Sequence, residues 1–171
     1  ALVDSMNGPT RVPNKETINV HEVCEHVYHL LRAEAPPGVA IERDYDPSLP
    51  NTRLDRHQMI QALLNVARNA LQAVGERGRI VLRTRVLTNV SIGTARHRLV
   101  ASVQVEDDGP GVPEHLRASI FYPLVTGRSN GTGLGLAVAQ DLVTRHGGII
   151  EFESEPGRTV FTLLLPIEET A

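Results

Sequence analysis

A glycine-rich run from Val105 to Leu136 constrains this chain more than any other stretch. It reads VEDDGPGVPEHLRASIFYPLVTGRSNGTGLGL: an acidic pair meets a Gly-Pro-Gly turn, and alternating glycines later open an apolar helix. Glycines at a helix start expose backbone N–H groups and the positive end of the helix dipole, which favours a phosphate. A carboxylate can accept a hydrogen bond from the exocyclic amine of a base. The run therefore indicates a nucleotide site.

Length and composition fit one domain and argue against several classes of protein. The chain has 171 residues, of which 41% are apolar, enough to bury a core. The net charge of -3 argues against nucleic acid as a partner, because a nucleic-acid binder needs a basic face. The single cysteine, Cys24, excludes an internal disulfide and fits a cytoplasmic protein. No apolar run approaches the ~20 residues of a membrane span.

Hydrophobic periodicity predicts about three helices and about five strands. We expect helices at 19–34, 55–74 and 134–146, and strands at 39–45, 80–87, 99–106, 149–154 and 159–165. The polar segment 88–97 should connect a hairpin, and the third helix, apolar nearly all round, should be mostly buried. The expected fold is an α/β (α+β) two-layer sandwich with a mixed sheet. Residues 1–14 are expected to be a leader and residues 15–171 the domain.

Asp107 is the first residue that carries chemistry. It continues the parity of the apolar side of its strand, where an ionised carboxylate is costly unless it is hydrogen-bonded. It either binds a base or merely starts the turn before Gly109, as Asp often does. We expect Asp108 to be the turn residue. Gly109 and Gly111 should let a flat ring approach the backbone.

The second element is the run Gly131-Thr132-Gly133-Leu134-Gly135-Leu136. It is not a Walker A loop, because no Gly-Lys-Ser/Thr follows, and its GxGxG spacing is not the dinucleotide-binding fingerprint. It predicts anion binding, or else close packing of a helix against a sheet.

The second predicted helix supplies the third element. Asn65 and Asn69 are four residues apart and therefore share one helix face, which Gln61 and Gln72 extend. Amide oxygens suit Mg²⁺ that also holds waters and nucleotide phosphates. The alternative is a plain solvated face.

Three lesser candidates complete the set. Arg128 is the one cation between Pro123 and Gly131 and could meet phosphates with a fork of donors. Thr159 heads the last strand and could bond a base, or be an ordinary strand residue. The apolar segment 121–124 could be core, a hinge or a docking surface.

Together these motifs resemble a known family. The set Asn65-xxx-Asn69-Ala70, Asp107-x-Gly109-x-Gly111, Phe121-x-Pro123 and Gly131-x-Gly133-Leu134-Gly135-Leu136 resembles the N, G1, F and G2 boxes of sensor histidine kinases, in order and spacing. The resemblance covers residues 18–166 and implies the Bergerat ATP-binding fold of Hsp90, gyrase B and MutL. The short loop between the last two boxes, with DYDPSLP and FYPLVTGR, is similar to nitrogen-regulation kinases of the NtrB type.

The resemblance implies a role for each matching position. Asp107 would accept from the adenine amine, and Thr159 would contact adenine, partly through water. Asn69 would ligate Mg²⁺, with Asn65 beside it near the phosphates. The phosphates would be cradled by the last box, Gly131, Thr132, Gly133, Leu134 and Gly135. Phe121 would touch the dimerisation helices during phosphotransfer.

Two departures from the family pattern matter. Many relatives have Lys or Arg three residues after the Mg²⁺-binding Asn, where this chain has Gln72, so Arg128 or Arg68 would have to replace that cation. The phosphoacceptor box, a His-Glu within a helical hairpin, is absent. His21-Glu22 looks like it, but it lies inside the first helix of the ATP domain and should be a solvated helix histidine. The segment ALVDSMNGP is expected to be the end of that hairpin's second helix.

The resemblance implies an enzyme part that binds ATP and Mg²⁺ and presents the γ-phosphate to a histidine on a dimerisation domain. An NtrC-like response regulator would then receive the phosphate on an aspartate. Two alternatives stay open: a regulatory module that binds nucleotide and the PII signal protein, and a serine kinase of the anti-sigma type.

Overall fold

The computed structural model describes residues 12–121 and 135–168 of the chain. Within these ranges a mixed five-stranded sheet packs one face against three helices, which confirms the predicted two-layer α/β sandwich. The described residues also form a separate two-stranded sheet. None of the helices in the described ranges is both long and apolar enough to cross a membrane.

The strands follow the chain as β1 to β7, and in the five-stranded sheet they lie in the order β2-β4-β5-β7-β6. The pair β2 and β4 is parallel and the other neighbours are antiparallel. The bounds are β1 Glu16–Ile18, β2 Gly38–Asp44, β3 Thr52–Leu54, β4 Arg77–Ile92, β5 Ala95–Asp107, β6 Ile149–Glu155 and β7 Arg158–Pro166. A 3₁₀ helix, Glu114–Ser119, follows β5.

The helices begin and end within one residue of the predicted bounds. Helix α1 spans Val20–Glu34, α2 spans Arg56–Val74 and α3 spans Gly135–Arg145. Asn19 and Asp55 cap α1 and α2, because each side chain accepts a hydrogen bond from a backbone N–H of the first turn. Gly75 ends α2 at a φ of 67°, and Gly147 follows α3 at 76°, both in the left-handed region that glycine tolerates.

The cap of α2 joins three parts of the chain. One oxygen of Asp55 accepts from the backbone N–H of Gln58 at 3.0 Å, and the other accepts from that of Asn14 at 2.8 Å. The N–H of Asp55 donates to Nε2 of His146, just past α3, at 3.1 Å. The Nδ1 of His146 lies 2.9 Å from the carbonyl of Leu142 and therefore carries the hydrogen. Burial lowers the pKa of His146 and favours this neutral form.

Three details differ from expectation. Strands β4 and β5 run through most of the segment 88–97, so the connection is only Gly93-Thr94. Strands β1 and β3, of three residues each, were not predicted. Helix α3 buries one face, with Ala139, Leu142 and Val143, rather than most of its surface. Short strands and an exposed hairpin carry too little apolar periodicity to be predicted.

Candidate functional site

A cavity of about 290 Å³ lies between α2, the loop after β5 and the start of β7. Its walls bring together Asn69, Asp107, Gly111 and Thr159, all of which the sequence singled out. Leu136 of α3 and Phe161 of β7 add apolar surface. Such a concave, mostly apolar space with a few converging polar groups is typical of a small-molecule site.

Asp107 ends β5 and is only 2% exposed. Its Oδ1 accepts from the N–H of Gly109 at 2.9 Å. Burial, the largest effect, raises the pKa of Asp107 to about 6. The assignment of the turn to Asp108 was wrong: Asp107 makes the turn bond, and Asp108 Oδ1 accepts from the N–H of Arg79 at 2.9 Å. Asp107 is thus both a turn residue and a carboxylate on the cavity wall.

The Gly-Pro-Gly turn is held by protein contacts. A Cβ on Gly109 would lie 2.9 Å from the carbonyl oxygen of Ala73 in α2. A Cβ on Gly111, whose φ is 94°, would lie 2.9 Å from the carbonyl oxygen of Glu155. Both distances are shorter than real Cβ contacts, so glycine is required here by packing against α2 and β6. The predicted approach of a flat ring to the backbone gives a second reason for glycine only at Gly111, because Gly111 lines the cavity.

Helix α2 carries the asparagine pair on one face, as predicted. Asn69 lines the cavity, together with Gln72. One turn earlier, Asn65 Nδ2 donates to the carbonyl oxygen of Gly135 at 3.1 Å. Asn65 therefore fixes the first residue of α3 against α2, while Asn69 faces the space beside Asp107 and Thr159.

Thr159 is buried and is paired with Asp107 across β5 and β7. Its hydroxyl lies 2.8 Å from that of Ser154, which also accepts from the N–H of Val112 at 2.7 Å. Sequence reasoning missed Ser154. The available signal was parity, because Ser154 continues the inward side of β6 after Ile150 and Phe152.

Some of the predicted residues fall outside the part of the chain that the structure describes. Arg128, Gly131, Thr132, Gly133 and Leu134 are outside the described residues, whereas Gly135 is the first residue of α3.

Arg68 and Phe121 are committed to other contacts. Arg68 pairs with both oxygens of Glu34 at 3.0 and 2.7 Å, so it is engaged with the end of α1. The ring of Phe121 packs edge-on against Phe152 and Phe161 at 6.2 and 6.3 Å, which favours the core interpretation of this position.

His21 is not the solvated histidine that we expected. Its Nε2 lies 2.8 Å from the hydroxyl of Thr84 in β4, and its ring stacks on Tyr45 at 4.7 Å. Burial lowers its pKa. Glu22 accepts from the N–H of Asn19 as the second half of a capping box. The His-Glu pair therefore serves helix capping and sheet packing.

Comparison with known proteins agrees with this geometry. Residues 54–169 match the model of the histidine kinase-, DNA gyrase B- and HSP90-like ATPases. The sensory histidine kinase/phosphatase NtrB of Escherichia coli O157:H7 is 48% identical over 169 residues, which are 98% of this chain and 48% of NtrB. The chain thus spans about half the length of the curated relatives that it matches.

Solved structures give the same result. The nucleotide-free catalytic domain of histidine kinase ThkA superposes with a TM-score of 0.77 at 28% identity, over 90% of this chain and 96% of that domain. ThkA in complex with response regulator TrrA gives 0.72 at 26%, over 90% and 42%. Full-length ShkA in complex with AMPPNP gives 0.77 at 26%, over 99% and 36%. The chain therefore belongs to the histidine kinase-, DNA gyrase B- and HSP90-like ATPase family and shares its fold with histidine kinase catalytic domains.

Proposed function

We propose that this chain is the ATP-binding catalytic domain of a sensor histidine kinase of the NtrB type. It binds ATP and presents the γ-phosphate to a histidine on a separate dimerisation domain. The support is the 48% identity with NtrB of Escherichia coli O157:H7 and the likeness to ThkA and ShkA. The single observation that carries the proposal is the buried carboxylate of Asp107 beside Thr159 in a cavity bounded by Asn69.

Asp107 recognises the base in this proposal. An ionised carboxylate only accepts hydrogen bonds, so it suits the exocyclic amine of adenine and repels a carbonyl oxygen at the same position. Thr159 contributes a hydroxyl to the same wall, and Gly109 and Gly111 complete the turn beside it. Glycines of the run 131–135 and Arg128 hold the phosphates.

The donors present also fit a magnesium ion. No group of three or more His, Cys, Asp or Glu in residues 12–121 and 135–168 could hold a metal ion. Magnesium shared with phosphates needs no such cluster, because one or two protein oxygens, waters and phosphates complete its shell. Asn69 is the proposed ligand, from the cavity wall, with Asn65 beside it. When bound, the ion neutralises phosphate charge, and the chain's own residues position the nucleotide.

Calorimetry tests the binding step. The 171-residue chain is titrated with AMPPNP with and without Mg²⁺, and affinity should rise when the metal is present. An absence of binding at millimolar nucleotide would overturn the proposal.

A second experiment tests phosphotransfer. Asn69→Asp should abolish phosphorylation of a separately supplied dimerisation domain, because a carboxylate changes the charge and the metal affinity at the cavity wall. Gln61→Glu is the matched control, since it makes the same amide-to-acid change at an exposed position of the same helix. Full activity of the Asn69→Asp variant would remove Asn69 from its role.

The wider context of this proposal is nitrogen regulation in the cytoplasm. In this scheme an NtrC-like response regulator accepts the phosphate on an aspartate. The PII signal protein controls the kinase through this domain. The structure of ThkA with response regulator TrrA supports a regulator as partner of this kind of kinase. Surface-immobilised chain should capture PII, and competent phosphotransfer without PII binding would remove PII from the scheme.

A further inference from the structure

Ser154 lies beside the two residues that read the base. In the sheet register Ser154 is paired with Thr159, and Thr159 is paired with Asp107. Paired residues of antiparallel strands point to the same face, so the three side chains form one row across β6, β7 and β5. The row borders the cavity that Asp107 and Thr159 line.

The contacts of Ser154 limit the directions that its hydroxyl hydrogen can take. A serine hydroxyl has one hydrogen and two acceptor positions. The N–H of Val112 donates to Ser154 Oγ at 2.7 Å, which uses one acceptor position. The second contact, at 2.8 Å, is with the hydroxyl of Thr159. The geometry of this contact allows either hydroxyl to donate. Among the hydrogen bonds of the described residues, donation by Ser154 is the arrangement that gives the serine hydrogen an acceptor.

The consequence falls on Thr159. If Ser154 donates, the oxygen of Thr159 is the acceptor and its own hydrogen is free to turn towards the cavity. We propose that Ser154 is a specificity-determining positioning residue, which holds Thr159 as a hydrogen-bond donor towards the base. The inference rests on the proposed function, because it concerns the nucleotide of the same cavity.

A donor next to a carboxylate matches one purine edge. Adenine offers an amine hydrogen to Asp107 and the lone pair of N1 to a donor. Hypoxanthine, the base of inosine triphosphate, offers a carbonyl oxygen and an N1–H instead. The carboxylate of Asp107 would then face another acceptor, and the hydroxyl hydrogen of Thr159 would face another donor. The row Ser154–Thr159–Asp107 therefore selects for adenine and against 6-oxo purines.

Ser154 also has a structural task that the test must separate. Its bond to Val112 holds the loop after Gly111, and Gly157 N–H donates to the carbonyl oxygen of Gly109 at 3.0 Å nearby. Loss of this clamp would weaken binding of every nucleotide alike. Loss of the donor orientation of the Thr159 hydroxyl would instead change the ratio of the affinities for ATP and inosine triphosphate.

The test compares dissociation constants for ATP and inosine triphosphate, with Mg²⁺, in the 171-residue chain. The wild type should prefer ATP, and Ser154→Ala should reduce the preference by about fivefold, the worth of one hydrogen bond. Ser154→Thr keeps the hydroxyl and should keep the preference. In a Thr159→Val background, Ser154→Ala should leave the ratio unchanged, because the group through which it acts is gone.

Two results would overturn the inference: an unchanged ratio of the two affinities in Ser154→Ala, which includes an equal loss for both nucleotides, or a full effect in the Thr159→Val background. If the alanine variant does not fold, Ser154→Cys replaces it, because cysteine is similar in size but a weaker donor. The preference for ATP should then also fall. Failure of the wild type to bind ATP at all would instead overturn the proposed function.

Discussion

Asp107 and Thr159 are directly paired across β5 and β7, and both are almost withdrawn from solvent, at 2% and 3% exposure. A carboxylate in such a position has lost hydration, and the raised pKa of about 6 expresses that cost. The fold therefore carries a charge that it would be more stable without. A base whose amine donates to Asp107 replaces a hydrogen bond that water can no longer make to this buried carboxylate.

The first prediction follows from that cost. Asp107→Asn should raise the free energy of unfolding at pH 7 by on the order of 1–3 kcal/mol, while ATP binding is lost. The folded pKa, about 6, lies above the ordinary value of 3.8, so wild-type stability falls as pH rises through this window. The advantage of the variant should be largest at pH 7 and small near pH 4. Urea denaturation across this range measures it.

Asp108→Asn is the control for this prediction, because its exposed side chain accepts from the N–H of Arg79 outside the cavity. It should leave ATP affinity nearly unchanged. An Asp107→Asn variant that is less stable than the wild type at pH 7 would contradict the argument.

The second prediction concerns His146, which must stay neutral to accept from the N–H of Asp55. Burial lowers its pKa below the ordinary 6.5, so the unfolded chain binds the proton more readily. The contribution of His146 to stability is present above pH 6.5 and is lost as pH falls through the folded pKa. His146→Gln, which offers an acceptor without titrating, should be less sensitive to acidification between pH 7 and 5. Thermal unfolding measures the slope, and exposed His26→Gln should keep that of the wild type.

The third prediction separates backbone strain from collision at two glycines. Gly111 and Gly157 have φ values of 94° and 89°, but only a Cβ on Gly111 would meet another atom within 4 Å. Gly157→Ala should cost about 1–2 kcal/mol from the left-handed backbone alone. Gly111→Ala should cost more and also lower nucleotide affinity, since it displaces the cavity wall. Equal losses of stability in the two variants would show that packing against Glu155 is unimportant.

The fourth prediction assigns the phosphate cation. Arg128→Ala should weaken ATP binding about tenfold, as expected for a charge-assisted hydrogen bond. Arg68→Ala also removes one positive charge, but the interaction lost is the surface ion pair with Glu34. The ATP affinity should therefore be unchanged, and the free energy of unfolding should fall by less than about 1 kcal/mol. Calorimetry with ATP on both variants measures the contrast. A stronger effect at Arg68 would reverse the assignment.

The sequence predicted the features that depend on residues close together along the chain. Asn19 and Asp55 marked two helix starts because an N-cap acts through its own first turn. Strand parity put Asp107 on the buried face, and helical spacing put Asn65 and Asn69 on one side of α2. The order of the four motifs led to the family.

What the sequence did not supply depends on partners distant along the chain. His21 owes its environment to Thr84 and Tyr45, and Ser154 owes its bond to the loop after β5 to Val112. A single sequence names none of these contacts. Asp108 was expected to make the turn bond, but its side chain accepts from the Arg79 N–H of the neighbouring strand, and Asp107 makes the turn bond in addition to lining the cavity.

The hydrogen bonds of Asp55, which caps α2, define the N-terminal boundary of the folded domain. The family model begins at residue 54, but the second oxygen of Asp55 is satisfied by the N–H of Asn14. A version trimmed to begin after Asn14 would orphan an acceptor that is 5% exposed, next to the histidine that closes α3. The smallest piece that satisfies both oxygens of Asp55 therefore includes Asn14, and any transplant of this domain into another protein should be joined ahead of that residue.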